Sequence, residues 1–259
     1  MKCIQPMSKL SVVIIALNEE HYIGECLASV QDIAHEIIVV DSGSTDRTIE
    51  ISKHYTDKVI PHDFETLGKQ KQFALDQATG DWILSLDADE RVSEELATEL
   101  KSLLSDKLKG EYDAYSISFQ NHFLGKPVSY GGENYAHNRL FRRERGCFTP
   151  DVVHESIAVK GRIGRLNGVI NHYSYKSLSQ VVTKFSWYAE GEALKMQSAG
   201  EQFSWWRLIK APLSIFRQRY LRQQGYRDGL AGLLLALLFA YYHLLSQWYY
   251  RELLRRSNR

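Results

Sequence analysis

Cysteine is scarce and unpatterned. The three residues, Cys3, Cys26 and Cys147, are odd in number and far apart. That excludes a disulfide framework and a cysteine-ligated zinc site, and it fits a reducing compartment. No low-complexity linker and no internal repeat interrupts the chain. After the first apolar run there is no G-x-G-x-x-G, so a dinucleotide oxidoreductase loses support; G-x-x-x-x-G-K-[ST] is also missing, which weakens a P-loop reading. The N-terminus lacks the apolar core of a signal peptide. Its apolar run is short and leads straight into Asn18-Glu19-Glu20, so the catalytic part is expected in the cytoplasm. Net charge is nearly absent at +1, but it is unevenly spread. Residues 200–259 carry ten Arg or Lys against Glu201, Asp228 and Glu252, a net +7, which leaves −6 on residues 1–199. A weakly acidic body with a basic tail predicts that the tail meets something anionic.

What is present is strand–helix alternation. LSVVIIA (10–16), EIIVVD (36–41) and WILSLD (82–87) are apolar runs of the kind buried in parallel sheets, with a short third strand at 58–60. Helical faces follow at 19–30, through Ile49 and Ile51, at 67–78, and through Val92, Leu96, Leu100, Leu103 and Leu104. This order predicts an α/β fold, a Rossmann-like, mostly parallel sheet flanked by helices. Such sheets bind ligands at the carboxyl ends of their strands. Asn18-Glu19-Glu20, Asp41-Ser42-Gly43 and Asp87-Ala88-Asp89 all fall there. From about 112 to 172 alternating runs predict a more open, partly antiparallel region, and 176–256 reads as helical.

Asp87-Ala88-Asp89 is the strongest local signal. Two carboxylates spaced i, i+2 after a buried strand can approach one Mg²⁺ or Mn²⁺, which takes its remaining ligands from water and diphosphate. The competing reading is helix N-capping by acids. Asp41 can accept a hydrogen bond from a uracil imide N–H, or form an Asx turn with Ser42-Gly43. Arg139, Arg142 and Arg143 are candidates to hold a diphosphate or a phosphorylated acceptor, or are ordinary surface charges.

The runs SVVIIALNEEHYIGECLASV, EIIVVDSGSTDRTIEI and GKQKQFALDQATGDWILSLDADE resemble family 2 glycosyltransferases of the GT-A fold across residues 9–105. HNRLFRR, VHESI and INHYSYKSLSQ resemble one branch, the β-1,4-glucosyltransferases that extend the lipopolysaccharide inner core. The resemblance implies an inverting, metal-dependent transfer of glucose from UDP-glucose to a core sugar, a heptose. It places Asn18 and Glu19 beside the nucleoside, Asp41 on the uracil, and Lys69 or Lys71 on the donor side. Asp87 would lie against ribose or donor sugar, with Asp89 as metal ligand and Asp87 adjoining it. A late histidine completes the metal site in some such enzymes. His172 is the candidate, against the reading of a structural histidine. Many family members carry the general base in a Glu-Asp pair, which is missing here. His154-Glu155 is the nearest equivalent: Glu155 is assigned as base and His154 as its orienter or substitute. Readings left open are another hexose or a capsule acceptor on the same fold, and a membrane-attached scaffold with a degenerate transferase domain.

These observations divide the chain into a transferase domain, 1–175, and a helical, basic, membrane-proximal region, 176–259. The first has a nucleotide-sugar half at about 9–105 and an acceptor half at about 106–175. Residues 229–250 contain no Asp, Glu, Lys or Arg and as a helix would reach about 33 Å, near bilayer thickness. They read as a helix on the cytoplasmic leaflet, a buried or dimer-forming helix, or a span. Gly229, Gly232, His243, Ser246 and Gln247 dilute the last. Phe203, Trp205, Trp206 and Ile209 with Arg207 and Lys210 add a second amphipathic surface. The expected location is the cytoplasm, peripherally on the inner membrane, with a lipid-linked glycan acceptor and no nucleic acid among the partners.

Overall fold

A computed structural model describes residues 8–105, 111–149, 156–175 and 177–257. The chain forms two compact units that interleave along the sequence. One comprises Met1–Phe119 and Ala136–His172, the other Gln120–Tyr135 and Tyr173–Arg259. The sequence reading had a single boundary near 175.

In the first unit β1 (Leu10–Ala16) is buried on both faces, as its unbroken apolar run requires. It pairs in parallel with β2 (Glu36–Asp41) and β4 (Trp82–Asp87), and β3 (Val59–Pro61) extends β2. Helices α1 (Ile23–Ala28), α2 (Thr48–Ser52) and α3 (Leu67–Asp76) connect these strands. Thr66 caps α3, its side chain accepting from Lys69 N–H. The parallel part is therefore β3-β2-β1-β4.

The region expected to be antiparallel continues this same sheet. After β5 (Glu90–Val92) and α4 (Glu94–Ser105) come β6 (Ala114–Phe123), β7 (Lys126–Val128) and β8 (Ala136–Arg142). The order runs on from β4 through β8, β6 and β11 (Ile163–Tyr175) to β5, and β7 pairs with β6. Strands β9 (Gly146–Phe148) and β10 (Ile157–Val159) form a separate ribbon. Val13, Ile38, Val40, Ile83 and Phe141 pack with Ala74 and Leu75 of α3 in the core. Gly168 lets β11 press against α4, since a Cβ there would lie 2.4 Å from Leu96 Cα.

The second unit is mainly helical. It contains α5 (Leu178–Ser198), α6 (Trp205–Phe216), a π-helical turn Arg217–Arg222, a 3₁₀ turn Gly225–Asp228 and α7 (Gly229–Ser257). Phe123, Val128 and Leu235 form one cluster; Ala193, Met196 and Tyr250 form another. Phe185 of α5 packs its ring 5.0 Å from that of Phe239 on α7. Asp228 accepts from Tyr130 N–H at 2.8 Å, and Arg219 forms an ion pair with the buried Glu133. Gly225–Arg256 is the one helical stretch among the described residues long and apolar enough to cross a membrane.

Candidate active site

The carboxyl ends of β1, β2 and β4 each lead into a polar turn, and the first two turns are stitched together. Asn18 adopts a left-handed φ of 55°, a conformation that Asn tolerates better than most residues. Its N–H donates to Ser44 Oγ at 2.8 Å, and its Oδ1 accepts from Thr45 N–H at 2.8 Å. Glu19 N–H donates to Thr48 Oγ1 at 2.7 Å. Asn18 and Glu19, expected beside a nucleoside, thus join the turns that follow β1 and β2.

Asp41 is buried at the end of β2. Its Oδ2 accepts from Gly43 N–H (2.9 Å) and Ser44 N–H (2.8 Å). Gly43 has φ 92°, which favours glycine. The Asx-type turn is therefore present. Asp41 Oδ1, by contrast, is buried and makes no hydrogen bond among the described residues. Beside it Gln70, fully buried on α3, donates to Ser42 Oγ at 2.9 Å and to His62 O at 3.0 Å. Gln70 was not singled out from sequence; its position between Lys69 and Lys71 was the available signal.

The structure separates the two lysines. Lys71 is 3% exposed and places Nζ 2.6 Å from Asp87 Oδ1. Lys69 is 54% exposed and pairs with Glu65, the solvated helix face that was its competing reading. Two residues apart on a helix is about 200° of rotation, so the lysines cannot share a face.

Asp87 and Asp89 also part. Asp87 Oδ2 lies 3.1 Å from Arg139 Nη2, which also approaches Glu90 Oε1 at 2.5 Å. Glu90 Oε2 accepts from Asp87 N–H at 2.9 Å. Burial opposes ionisation of Asp87, but Lys71 and then Arg139 outweigh it and hold its carboxyl well below the usual range. Burial, and then Asp87 against the opposing Arg139, pushes the Glu90 pKa upward. Both oxygens of Asp87 thus face cations. In this structure Asp87, expected to adjoin Asp89 at a metal, is paired with Lys71 and Arg139.

Asp89, in the turn between β4 and β5, is the carboxylate that remains. His172 Nε2 lies 3.6 Å from its Oδ1, brought there because β11 pairs with β5 with His172 opposite Glu90. The His172 ring also packs edge-on to Phe119 at 5.8 Å. Among the described residues no three His, Cys, Asp or Glu groups gather into a metal cluster. A two-residue set of one carboxylate and one imidazole still fits Mg²⁺ or Mn²⁺, which commonly uses one or two protein ligands and completes its shell with phosphates and water. Of the arginines, Arg139 belongs to the ion network, Arg142 stacks 4.8 Å over Trp82, and Arg143 donates to Gly80 O at 3.1 Å. His154 and Glu155 lie outside the described residues.

The family model described as Glycosyl transferase family 2 matches residues 11–159. The lipopolysaccharide core biosynthesis glycosyltransferase LpsC of Rhizobium meliloti is 33% identical over 253 residues, covering 93% of this chain and 91% of that protein. An uncharacterised glycosyltransferase of Rickettsia typhi is 31% identical, covering 97% of this chain and 89% of its own length. Among solved structures, S. aureus TarS 1–349 in complex with UDP-GlcNAc aligns with a TM-score of 0.48 at 16% identity, over 96% of this chain and 92% of that one. Matched by the family model over more than half its length and related nearly end to end to other glycosyltransferases, the chain belongs to glycosyltransferase family 2.

Proposed function

We propose that the chain is an inverting, divalent-cation-dependent hexosyltransferase that moves glucose from UDP-glucose onto a heptose of a lipopolysaccharide core, at the cytoplasmic face of the inner membrane. The observation that carries the donor half is Asp41. Its Oδ2 is engaged by two turn N–H groups, while its buried Oδ1 accepts nothing among the described residues. A buried acceptor without a donor is costly, and the imide N–H of uracil would supply one. LpsC, related over 93% of the chain, supports the acceptor half by its name.

Asn18 and Glu19 hold the turn that borders the nucleoside. Lys71 and Arg139 keep Asp87 ionised, the form that accepts hydrogen bonds from ribose or sugar hydroxyls. Asp89 and His172 would hold the cation, which when bound offsets charge on the departing diphosphate. Glu155 takes the proton from the acceptor hydroxyl as that oxygen bonds to the anomeric carbon. The bond from that carbon to the diphosphate breaks on the opposite face, so the configuration inverts. His154 orients Glu155 or the acceptor.

Calorimetry of UDP binding tests the donor half. Asp41→Ala is expected to weaken UDP by about 1–3 kcal/mol; unchanged affinity would leave Asp41 a purely structural role. A donor screen with a truncated core lipid, followed by linkage analysis, tests the rest. Failure to use UDP-glucose, or transfer only to a different polysaccharide, would refute the assignment of substrates.

A further inference from the structure

The second unit carries a surface that the transfer reaction does not use. Exposed apolar side chains cluster within about two turns of α6: Trp205, Trp206, Ile209 and Leu213 are 58–66% exposed. At 3.6 residues per turn they fall within about 100° of the helix circumference. Leu208, Ala211, Pro212 and Ile215, on the other side, are half-buried, and α6 packs on α7. Trp205 also stacks on Arg251 of α7 at 4.4 Å, with the exposed Trp248 4.9 Å from the same guanidinium.

Cations border this stripe. Lys210 flanks it on α6, and the π turn adds Arg217 and Arg222. Backbone bonds in a π-helix join residues five apart, so Arg222 follows Arg217 by one turn and both line one groove. An α-helix would set them about 140° apart. The groove, of about 320 Å³, has Trp206, Ile209 and Leu213 on its apolar side and Lys210, Arg217 and Arg222 on its basic side. These three cations form no ion pair among the described residues. Arg219 of the same turn differs, since it pairs with Glu133 and lies 3.5 Å over the Phe239 ring.

We propose that α6 and its π turn form an in-plane docking helix for a bilayer containing anionic phospholipid. Trp206, Ile209 and Leu213 enter the headgroup–acyl boundary, and Lys210, Arg217 and Arg222 bind lipid phosphates. Exposed tryptophans with a basic border are the composition that such a boundary favours, and the unpaired positive charge makes an anionic leaflet the complementary occupant. Helix α7 supports α6 from one side: its Ser246 and Gln247 are buried and its Phe239 and Tyr242 pack on Phe185. The proposal rests on the membrane-proximal reading of the C-terminal region.

Cosedimentation of the full chain with vesicles tests it, using phosphatidylcholine alone and phosphatidylcholine mixed with phosphatidylglycerol. Wild type should prefer the mixed vesicles at least about tenfold, and high salt should weaken binding. Reversing Lys210, Arg217 and Arg222 to Glu should cost about a hundredfold on mixed vesicles. Trp206→Ser with Ile209→Ser should weaken binding about tenfold or more on both. All five side chains are exposed, so the fold and UDP binding should persist, and alkaline carbonate should release wild type from membranes. Equal affinity for the two vesicles, or variants that bind like wild type, would overturn the proposal. So would carbonate-resistant attachment, which would make α7 a span. A concentration-dependent dimer lost in Trp206→Ser would also overturn it, by covering the stripe with a second copy. Vesicle binding by wild type without any UDP binding would leave the docking surface standing and refute the transferase reading.

Discussion

Two turns at the carboxyl end of the parallel strands each carry a carboxylate, and they hold it by different means. After β2, Asp41 is gripped by backbone N–H groups and, among the described residues, no cation pairs with it, so one oxygen accepts twice and the other is buried without a partner. After β4, Asp87 is gripped by Lys71 and Arg139, and the carboxylate two residues on, Asp89, faces His172. The first turn suits a neutral donor such as a nucleobase imide. The second concentrates charge of both signs, and on the function proposed above it would meet a diphosphate with its cation. Equivalent positions in a sheet thus acquire different ligand chemistry from the groups that reach them.

The sharpest way to break the second turn is Asp89→Ala. Turnover should fall by roughly 10³ or more, because a proposed ligand of the cation is removed, while the melting curve should barely move. Full rate in the variant, or in EDTA-treated wild type, would remove the cation from the second turn. Glu155→Gln probes chemistry assigned to neither turn. It should lower kcat by roughly 10²–10⁴ and leave UDP affinity unchanged in calorimetry. Retention of most of kcat at saturating acceptor would pass the role to His154.

Smaller effects sharpen the contrast by separating position from charge. Lys71→Met leaves Asp87 with Arg139 alone and should cost about 3 kcal/mol in denaturant unfolding. Lys69→Met, on the exposed face, should stay within about 0.5 kcal/mol. Similar losses in the two would mean that the Lys71–Asp87 pair contributes nothing special.

A pH-dependent effect concerns Glu36, at the opposite end of the strand that carries Asp41. Burial raises its pKa, but Lys58, Ser11 and Thr79 outweigh this and lower it from 4.5 to about 2. Its stabilisation is therefore present above pH 4.5 and lost as pH falls toward 2. Glu36→Gln should be less stable than wild type near neutrality, and the gap should close across that window. A gap independent of pH would refute an ionic role.

Much of the fold was legible because burial imposes composition. LSVVIIA, EIIVVD and WILSLD are apolar throughout since parallel strands are covered on both faces, and all three became strands within the expected bounds. Helix α1 was shorter than its apolar face suggested, Ile23–Ala28 instead of 19–30, because Glu19 and its neighbours are drawn into the stitched turns. Asp41, Asp87 and Asp89 were legible as site candidates because each follows a strand end. Gln70 was overlooked, since a polar residue inside a helix looks the same in sequence whether it faces solvent or a buried turn.

Sequence alone determined the order of the parallel strands and the helices between them, since this follows from local apolar patterning, and its motifs carried the resemblance to the family. Tertiary structure alone separated Lys69 from Lys71, because helix phase matters only once α3 packs on β1 and β2 with Lys71 toward Asp87. It decided that Arg139 joins Asp87 and Glu90 across about fifty residues, through the pairing of β8 with β4. It brought His172 to Asp89 through one strand register. And it revealed which arginines of the basic tail turn inward and which stay exposed, because a π turn and the packing of α6 on α7 set directions that composition does not contain.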